Sequence, residues 1–365
     1  MRVLFALPGL HRWDRGAEVA FVEVATALAN AGDQVTLIGS GPKREGAAYR
    51  YIRAASLDRS HFNRFPSLPF VRNEYAYEEL TFTPALLARF QPSAFDVTVT
   101  CSYPYTNWAL RRPVFGGMPP PHVFVTQNGD WPATHNGAEY RFFGCDGLVC
   151  TNPDFYERNK DNWNCVLIPN GVDVARFTPG PPQRRAFGLP SERLIVLMVS
   201  ALIESKRVIA GIEAVSRVPE AHLVVAGDGP LREKTLQRAN ELMPGRFTQL
   251  TAPAAQMPDL YRSADVFLHM TFAESFGNVY VEALACGLPV VGHDSARLRW
   301  IVGDLGYLVD TNDTEAVATA IARAAQSGPP DRTPHVARAA EFSWTQIGAR
   351  YGAFLRQVAE TGRRN

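Results

Sequence analysis

Short β-branched and aliphatic runs alternate along nearly the whole chain with longer stretches whose apolar residues recur every three to four positions. That alternation predicts parallel strands, buried on both faces and joined by crossover helices. In the first half the predicted strands are Arg2–Ala6, Gln34–Ile38, Tyr49–Arg53, Val97–Cys101, His122–Thr126, Gly147–Thr151 and Cys165–Pro169. The second half supplies Leu194–Ser200, His222–Ala226, Phe247–Leu250, Val266–Met270, Leu288–Gly292 and Gly306–Val309. Between the two sets, Pro169-Asn170-Gly171-Val172-Asp173 and then Pro179-Gly180-Pro181-Pro182 interrupt helix and strand alike. Near the end, Trp344, Ile347, Tyr351 and Leu355 follow a helical spacing with no further strand to serve. The expected class is therefore α/β, with a first Rossmann-like domain over 1–170, a hinge over 171–182 and a second Rossmann-like domain over 183–342. A final helix over 343–360 is expected to dock on the first domain.

Composition narrows the options. At 365 residues the chain is longer than one core conveniently organises. With 46% hydrophobic and 20% charged residues it is not a disordered chain. The formal net charge of +1 gives no overall field to attract nucleic acid. The apolar start is too short for a secretory leader and no run reaches membrane-spanning length, so a cytoplasmic location is expected. Five cysteines, at 101, 145, 150, 165 and 286, are expected to be reduced and buried, and their spacing suits no structural metal.

In open parallel sheets ligands bind beyond the carboxyl ends of the strands, so the loops that follow strands carry the candidate chemistry. After the first strand, Leu7-Pro8-Gly9 leads through Asp14-Arg15-Gly16 into a helix, a geometry that aims amides at phosphate oxygens. Ser200 to Arg207 follows a strongly apolar strand, and Lys206 there suits a diphosphate as a point charge. The next strand ends in Gly227-Asp228-Gly229-Pro230, which plain turn chemistry explains equally well. The most informative stretch runs from Phe272 to Gly287: Glu274 in a loop, Ser275, Phe276, Gly277 and Asn278 at a helix start, then Glu282 on the helix. Eight residues of helix span about 12 Å, enough for the two carboxylates to grip separate parts of one long ligand. Carboxylates accept sugar and ribose hydroxyls; the same pair also suits a solvated helix face.

These residues resemble the retaining glycosyltransferases of family 4, which have the GT-B architecture of two Rossmann-like domains facing a cleft. The carriers are Gly16 and Glu18, the Pro169–Asp173 run, Lys206, Gly227-Asp228-Gly229-Pro230, and Glu274 with Glu282 flanking Phe276-Gly277. The resemblance implies a nucleoside diphosphate sugar as co-substrate, no metal or other cofactor, and an unidentified acceptor held by the first domain. It implies that Lys206 neutralises the diphosphate and that Glu274 and Glu282 take the sugar and ribose hydroxyls. Amides of Gly16, Phe276, Gly277 and Asn278, with Ser200, Ser275 and Gly227 nearby, would line the donor, and Thr251, Ala252 and Pro253 would meet the base. In mechanism the acceptor attacks the face from which the nucleotide departs.

Two departures matter. Ala201 stands where many relatives have an arginine, so Arg207, Arg15 or Arg12 is expected to compensate. After His122–Thr126, where relatives place a histidine, the chain reads Gln127-Asn128-Gly129-Asp130, which makes Gln127 and Asn128 the expected groups near the sugar. These departures keep open a nucleotide-sugar-binding protein without transferase activity, or a GT-B epimerase or phosphorylase. On the acceptor side, Tyr103, Tyr105, Asn107, Trp108 and His135 are candidates for stacking and hydrogen bonding, although packing explains the first four and a solvated loop His135 equally well. From Gly41 to Glu74 seven basic residues face three acidic ones, with Phe62, Phe65 and Phe70 interleaved. That stretch suits either a solvated excursion or peripheral contact with an acidic membrane at its inner face.

Overall fold

The structure, a computed structural model, describes residues 1–113, 117–272, 274–326 and 331–362. The chain divides into two compact units, Met1–Asn170 together with Trp344–Asn365, and Gly171–Ser343. The backbone enters and leaves the second unit side by side, since Val172 N donates to Phe342 O at 2.8 Å and Val172 bridges Ser343.

In the first unit the strands are β1 (Arg2–Ala6), β2 (Gln34–Gly39), β3 (Arg50–Arg53), β4 (Val97–Thr100), β5 (His122–Val125), β6 (Gly147–Cys150) and β7 (Cys165–Leu167). They form one sheet in the order β3-β2-β1-β4-β5-β6-β7, parallel throughout. Its helices are α1 (Gly16–Asn30), α2 (Glu74–Leu87), α3 (Tyr105–Arg111), α4 (Trp131–Thr134) and α5 (Pro153–Asn159). In the second unit β8 (Leu194–Val199), β9 (Ala221–Ala226), β10 (Phe247–Leu250), β11 (Val266–His269), β12 (Val290–His293) and β13 (Gly306–Val309) pair in the order β10-β9-β8-β11-β12-β13, again all parallel. Around them lie α6 (Val208–Ser216), α7 (Arg232–Leu242), α8 (Met257–Arg262), α9 (Asn278–Ala285), α10 (Ala296–Val302), α11 (Thr314–Gln326) and α12 (Thr333–Ala340). The last helix, α13 (Trp344–Gly362), belongs to the first unit.

The strand alternation explains how each sheet is covered. Val3 and Phe5 point into a core with Phe21, Val24 and Leu28 of α1 and with Ile347, Tyr351, Leu355 and Val358 of α13. Leu4 and Ala6 point the other way, against Phe82 and Leu86 of α2 and Leu110 of α3. In β8, Ile195 and Leu197 face the layer of α8, α9 and α10, while Val196 and Met198 face α6 and α11. Each fully buried Leu, Ile or Phe side chain contributes about 2 kcal/mol, so the two-sided coverage stabilises the parallel sheets. All thirteen expected strands are present, displaced at their ends by no more than two residues. The five cysteines are free thiols; those at 101, 150 and 286 are buried and those at 145 and 165 half-buried. Among the described residues no helix is long and apolar enough to cross a membrane.

The α13–α1 contact depends on Gly348: a Cβ there would lie 2.4 Å from the Cβ of Ala27. Gly348→Leu is expected to destabilise the first unit by about 2 kcal/mol through overpacking. Denaturant unfolding checks this; an unchanged midpoint would contradict the packing argument.

Candidate active site

In each sheet the order reverses direction beside one central strand, between β1 and β4 and again between β8 and β11. Connections leave such a pair of strands toward opposite faces, which opens a crevice beyond their carboxyl ends. The loops after β8 and β11 therefore meet at the second unit's crevice, and they carry Lys206 and Glu274.

Those two side chains form an ion pair, Lys206 Nζ to Glu274 Oε1, with about a fifth of each side chain exposed. Thr271 Oγ1 donates to Ser205 O at 3.0 Å, fastening the two loops together one residue away. Beneath the pair lies His269, the last residue of β11, with Nε2 3.7 Å from Glu274 Oε1. Its Nδ1 accepts from Thr271 N at 3.4 Å and faces Tyr280 Oη at 3.3 Å, which assigns the proton to Nε2, on the side of Glu274. Burial, helped by the Lys206 charge, holds the imidazole down to about 3, so it stays neutral. His269 was not among the residues singled out from sequence, where it reads as one more position of a buried strand.

Gly277 opens α9 at φ +92°, and a Cβ there would collide with the Tyr280 ring at 2.6 Å. Only glycine turns the chain so tightly from the Glu274 loop into α9. The helix N-terminus, with Asn278 first, thereby points its amides and dipole toward the crevice. Phe276 is buried against Trp300 and Phe342, so only its backbone amide is available to a ligand. Ser275 is half-buried in the same turn. One turn along α9, Glu282 accepts from Tyr261 Oη at 2.7 Å. Burial raises its carboxyl above the ordinary range, against the opposing pull of Tyr261 and Arg176. Thr251, Ala252 and Pro253 follow β10 at the same edge of the sheet; Thr251 and Pro253 are exposed and Ala252 half-buried.

Three donor-side expectations change. Gly227 faces the neighbouring loop: a Cβ there would meet Ser200 O at 1.9 Å, so close packing of the loops after β8 and β9 explains the glycine without a ligand. Ser200 donates its hydroxyl to Ala201 O at 3.2 Å. Arg207, expected to meet the diphosphate, has its guanidinium engaged within the protein. Its Nη1 donates to Met270 O (3.1 Å) and Thr311 Oγ1 (2.8 Å), and its Nη2 to Thr311 O and Asn312 Oδ1 (both 3.1 Å). Its backbone is left-handed at φ +53°, which costs a non-glycine residue roughly 1–2 kcal/mol.

The first unit's crevice lies between the loops after β1 and β4. Gly16 is exposed at the start of α1 with open space where a Cβ would sit. Glu18 is buried, its Oε1 lying 2.1 Å from where a Cβ on Gly9 would be, so Gly9 exists to admit that carboxylate. Two further acids went unnoticed in the sequence, Glu78 and Glu79 of α2, because they sit in an acidic-looking helix start with nothing to mark them as buried. Glu78 Oε2 pairs with Arg59 at 2.8 Å, while its Oε1, Thr106 Oγ1 and Arg15 Nη1 have no partner among the described residues. Glu79 accepts from Thr106 N at 3.2 Å at the start of α3, and burial pushes its carboxyl up to about 8.

The remaining first-unit candidates are engaged locally. Gln127 and Asn170 exchange amide hydrogen bonds, Nε2 to Oδ1 at 2.6 Å and Nδ2 to Oε1 at 3.0 Å, which ties the turn after β5 to the last residue before the chain crosses into the second unit. Asn128 is exposed, its carbonyl accepting from Trp131 at 3.3 Å. Tyr103 is buried and Trp108 half-buried in one aromatic cluster with Tyr105 and Phe142. Asn107, fully buried, donates to Gly144 O at 3.1 Å, and Tyr105 Oη donates to Phe70 O at 3.0 Å. His135 is exposed and accepts from Gly137 N at 2.9 Å. Tyr103, Asn107 and Trp108 are thus packing residues, because the short α3 buries its inner face against the loop before β6.

Comparison with known proteins places this geometry. Residues 15–176 match the family model described as Glycosyltransferase Family 4, and residues 193–327 the one described as Glycosyl transferases group 1. A lipopolysaccharide core biosynthesis glycosyltransferase of Rhizobium meliloti is 28% identical over 84% of this chain and 85% of its own. A GDP-mannose-dependent phosphatidylinositol dimannoside mannosyltransferase of Mycobacterium tuberculosis is 31% identical over 68% of this chain and 66% of its own. Among solved structures, sucrose-phosphate synthase from Thermosynechococcus elongatus superposes with a TM-score of 0.77 at 20% identity, covering 99% of both chains. Anabaena HepE, solved with UDP-glucose, superposes at 0.71 and 17% identity over the full length of both. The shared fold is GT-B.

The raised Glu79 carboxyl predicts a pH effect. The folded chain binds that proton more tightly than the unfolded one, so the stabilisation is complete at acidic pH and lost as pH rises through about 8. Glu79→Gln still accepts from Thr106 N but cannot ionise. Thermal unfolding is expected to fall more steeply from about pH 5 to about pH 9 in the parent than in Glu79→Gln; parallel curves would contradict it.

Proposed function

Because the chain belongs to glycosyltransferase family 4, we propose that it moves a sugar, with retention of configuration, from a nucleoside diphosphate sugar to an acceptor hydroxyl. The observation that carries this reading is the Lys206–Glu274 pair beside the α9 N-terminus, a cation and a hydroxyl acceptor at one crevice. In it Lys206 and the α9 amides meet the charge that grows on the leaving diphosphate, and no metal ion has a part. The neutral His269 keeps its N–H toward Glu274, and that carboxylate accepts sugar hydroxyls. Glu282 takes the ribose hydroxyls and the backbone at 251–253 the base. The acceptor attacks the face from which the nucleotide leaves, and a departing phosphate oxygen takes the acceptor proton. The transition state then carries positive charge on the sugar ring beside negative charge on the phosphate, so a fixed ion-pair environment lowers the barrier.

For the acceptor, the first unit's crevice supplies Glu18, Glu78 and Thr106, hydrogen-bonding groups suited to a hydroxyl-rich molecule. A lipid-linked acceptor fits the segment before α2. Phe65, Leu68 and Phe70 are 54%, 48% and 36% exposed, and Arg64 is exposed among them. Three of the basic residues counted there are neutralised, Arg44 by Asp14, Arg59 by Glu78 and Arg72 by Glu139, so apolar insertion outweighs charge in this contact.

Two measurements test the reading. With a nucleoside diphosphate sugar of known anomer, the product glycoside is expected to keep that configuration; an inverted product would overturn the mechanism. Lys206→Ala is expected to weaken nucleoside diphosphate binding by about 2 kcal/mol, roughly thirtyfold, in calorimetry; unchanged affinity would sink the assignment. For the membrane, Phe65→Ser/Phe70→Ser is expected to abolish cosedimentation with anionic vesicles, whereas parent protein that stays in the supernatant would dismiss it.

A further inference from the structure

Arg207 occupies a backbone conformation that glycine adopts freely and that strains any other residue, with φ +53° and ψ 36°. A residue kept there against that strain is kept for its side chain. The guanidinium is half-buried and donates to Met270 O at the end of β11, to Thr311 Oγ1 and O, and to Asn312 Oδ1 beyond β13. It also lies 3.8 Å above the Phe272 ring, in the segment leading to Glu274. Thr311 Oγ1 in turn contacts Met270 O at 3.3 Å and His293 Nδ1 at 3.2 Å. One planar fork therefore fastens the loop after β8 to the carboxyl ends of β11, β12 and β13.

Lys206 is the residue before this anchor. Its turn is short, with Lys206 N donating to Ile203 O at 3.1 Å and Arg207 N to Glu204 O at 3.0 Å, and α6 starts immediately after. The loop's other ties are Ser205 O to Thr271, Leu202 to the loop after β9, the Lys206–Glu274 pair, and an exposed pair of Glu204 with Lys234 at 3.8 Å. We propose that Arg207 is a positioning residue of the donor site: it makes no contact with the donor and holds the turn that presents Lys206 to the diphosphate and keeps it opposite Glu274. This inference rests on the donor-site reading above. It also accounts for Ala201 in a chain with only one cation from this loop in the crevice, since a single lysine held in place does what a looser pair would share.

A double-mutant cycle on the full chain tests it, with calorimetric affinity for uridine and guanosine diphosphates as the readout. Arg207→Gly suits the backbone and deletes the fork; it is expected to stay folded and to bind about tenfold more weakly than the parent. Lys206→Ala weakens binding directly. If Arg207 acts through Lys206, the double variant binds no more weakly than Lys206→Ala alone. Arg207→Lys keeps the charge without the fork and is expected to behave like Arg207→Gly; it carries the cycle should the glycine variant not fold. Parent-like affinity in either Arg207 variant, or a double variant whose loss is the product of the two single losses, would overturn the proposal. A parent chain that binds neither nucleotide would instead bring down the donor-site reading on which it rests.

Discussion

The crevice between β8 and β11 is the constraint on which the second unit depends. Parallel strands with right-handed crossovers must send their connections to opposite faces on either side of a central strand, and the gap so created cannot be filled by a helix. A loop that enters the gap has polar backbone to satisfy and few neighbours to satisfy it. Here the Lys206–Glu274 pair, the Thr271–Ser205 bond and the Arg207 fork close that account within the protein. A half-buried ion pair with about a fifth of each side chain exposed is worth little as stability, because what the charges gain from each other they lose in hydration. In the proposed function its value lies in holding a cation and a carboxylate ready for a ligand that presents the opposite groups.

The electrostatics of the two crevices differ in kind. In the second unit the imidazole of His269 is held neutral beneath an ion pair, so it adds no charge to the crevice across the physiological pH range. In the first unit several carboxyls are buried together, and Glu79 is pushed up to about 8. Burial of acids beneath the β1 loop destabilises their ionised forms, and Arg59 partly offsets this for Glu78 and, with Arg15, for Glu18. Among the described residues Glu78 Oε1 and Thr106 Oγ1 lack partners, an arrangement that is costly in a fold.

The catalytic proposal asks for no covalent intermediate. It asks for charge placed where charge develops, which is the commonest large term in enzyme catalysis. That explains why the site is built from the ends of strands and the start of a helix. Such positions are fixed by the sheet, and a lysine or glutamate in a loop gains its precision only through ties such as those of Arg207 and Gly277.

Strand periodicity, the glycine at 277 and the spacing from Glu274 to Glu282 are local properties, and each was legible in the chain because local sterics and burial decide them. The two α/β sets and the docking of Trp344, Ile347, Tyr351 and Leu355 on the first of them follow from the same patterning. What the linear sequence does not carry is where a side chain points once its loop is folded. Arg207 looked like a phosphate ligand and is an internal clamp; Gly227, open between a ligand contact and a turn, accommodates a carbonyl; Tyr103, Asn107 and Trp108, open between a sugar platform and packing, are packing. His269, Glu78 and Glu79 were invisible because burial, which sets their chemistry, arises from residues distant in the chain. Pattern determines which elements form and which loops share an edge; only the tertiary structure decides which polar groups on that edge are already satisfied and which still await a partner.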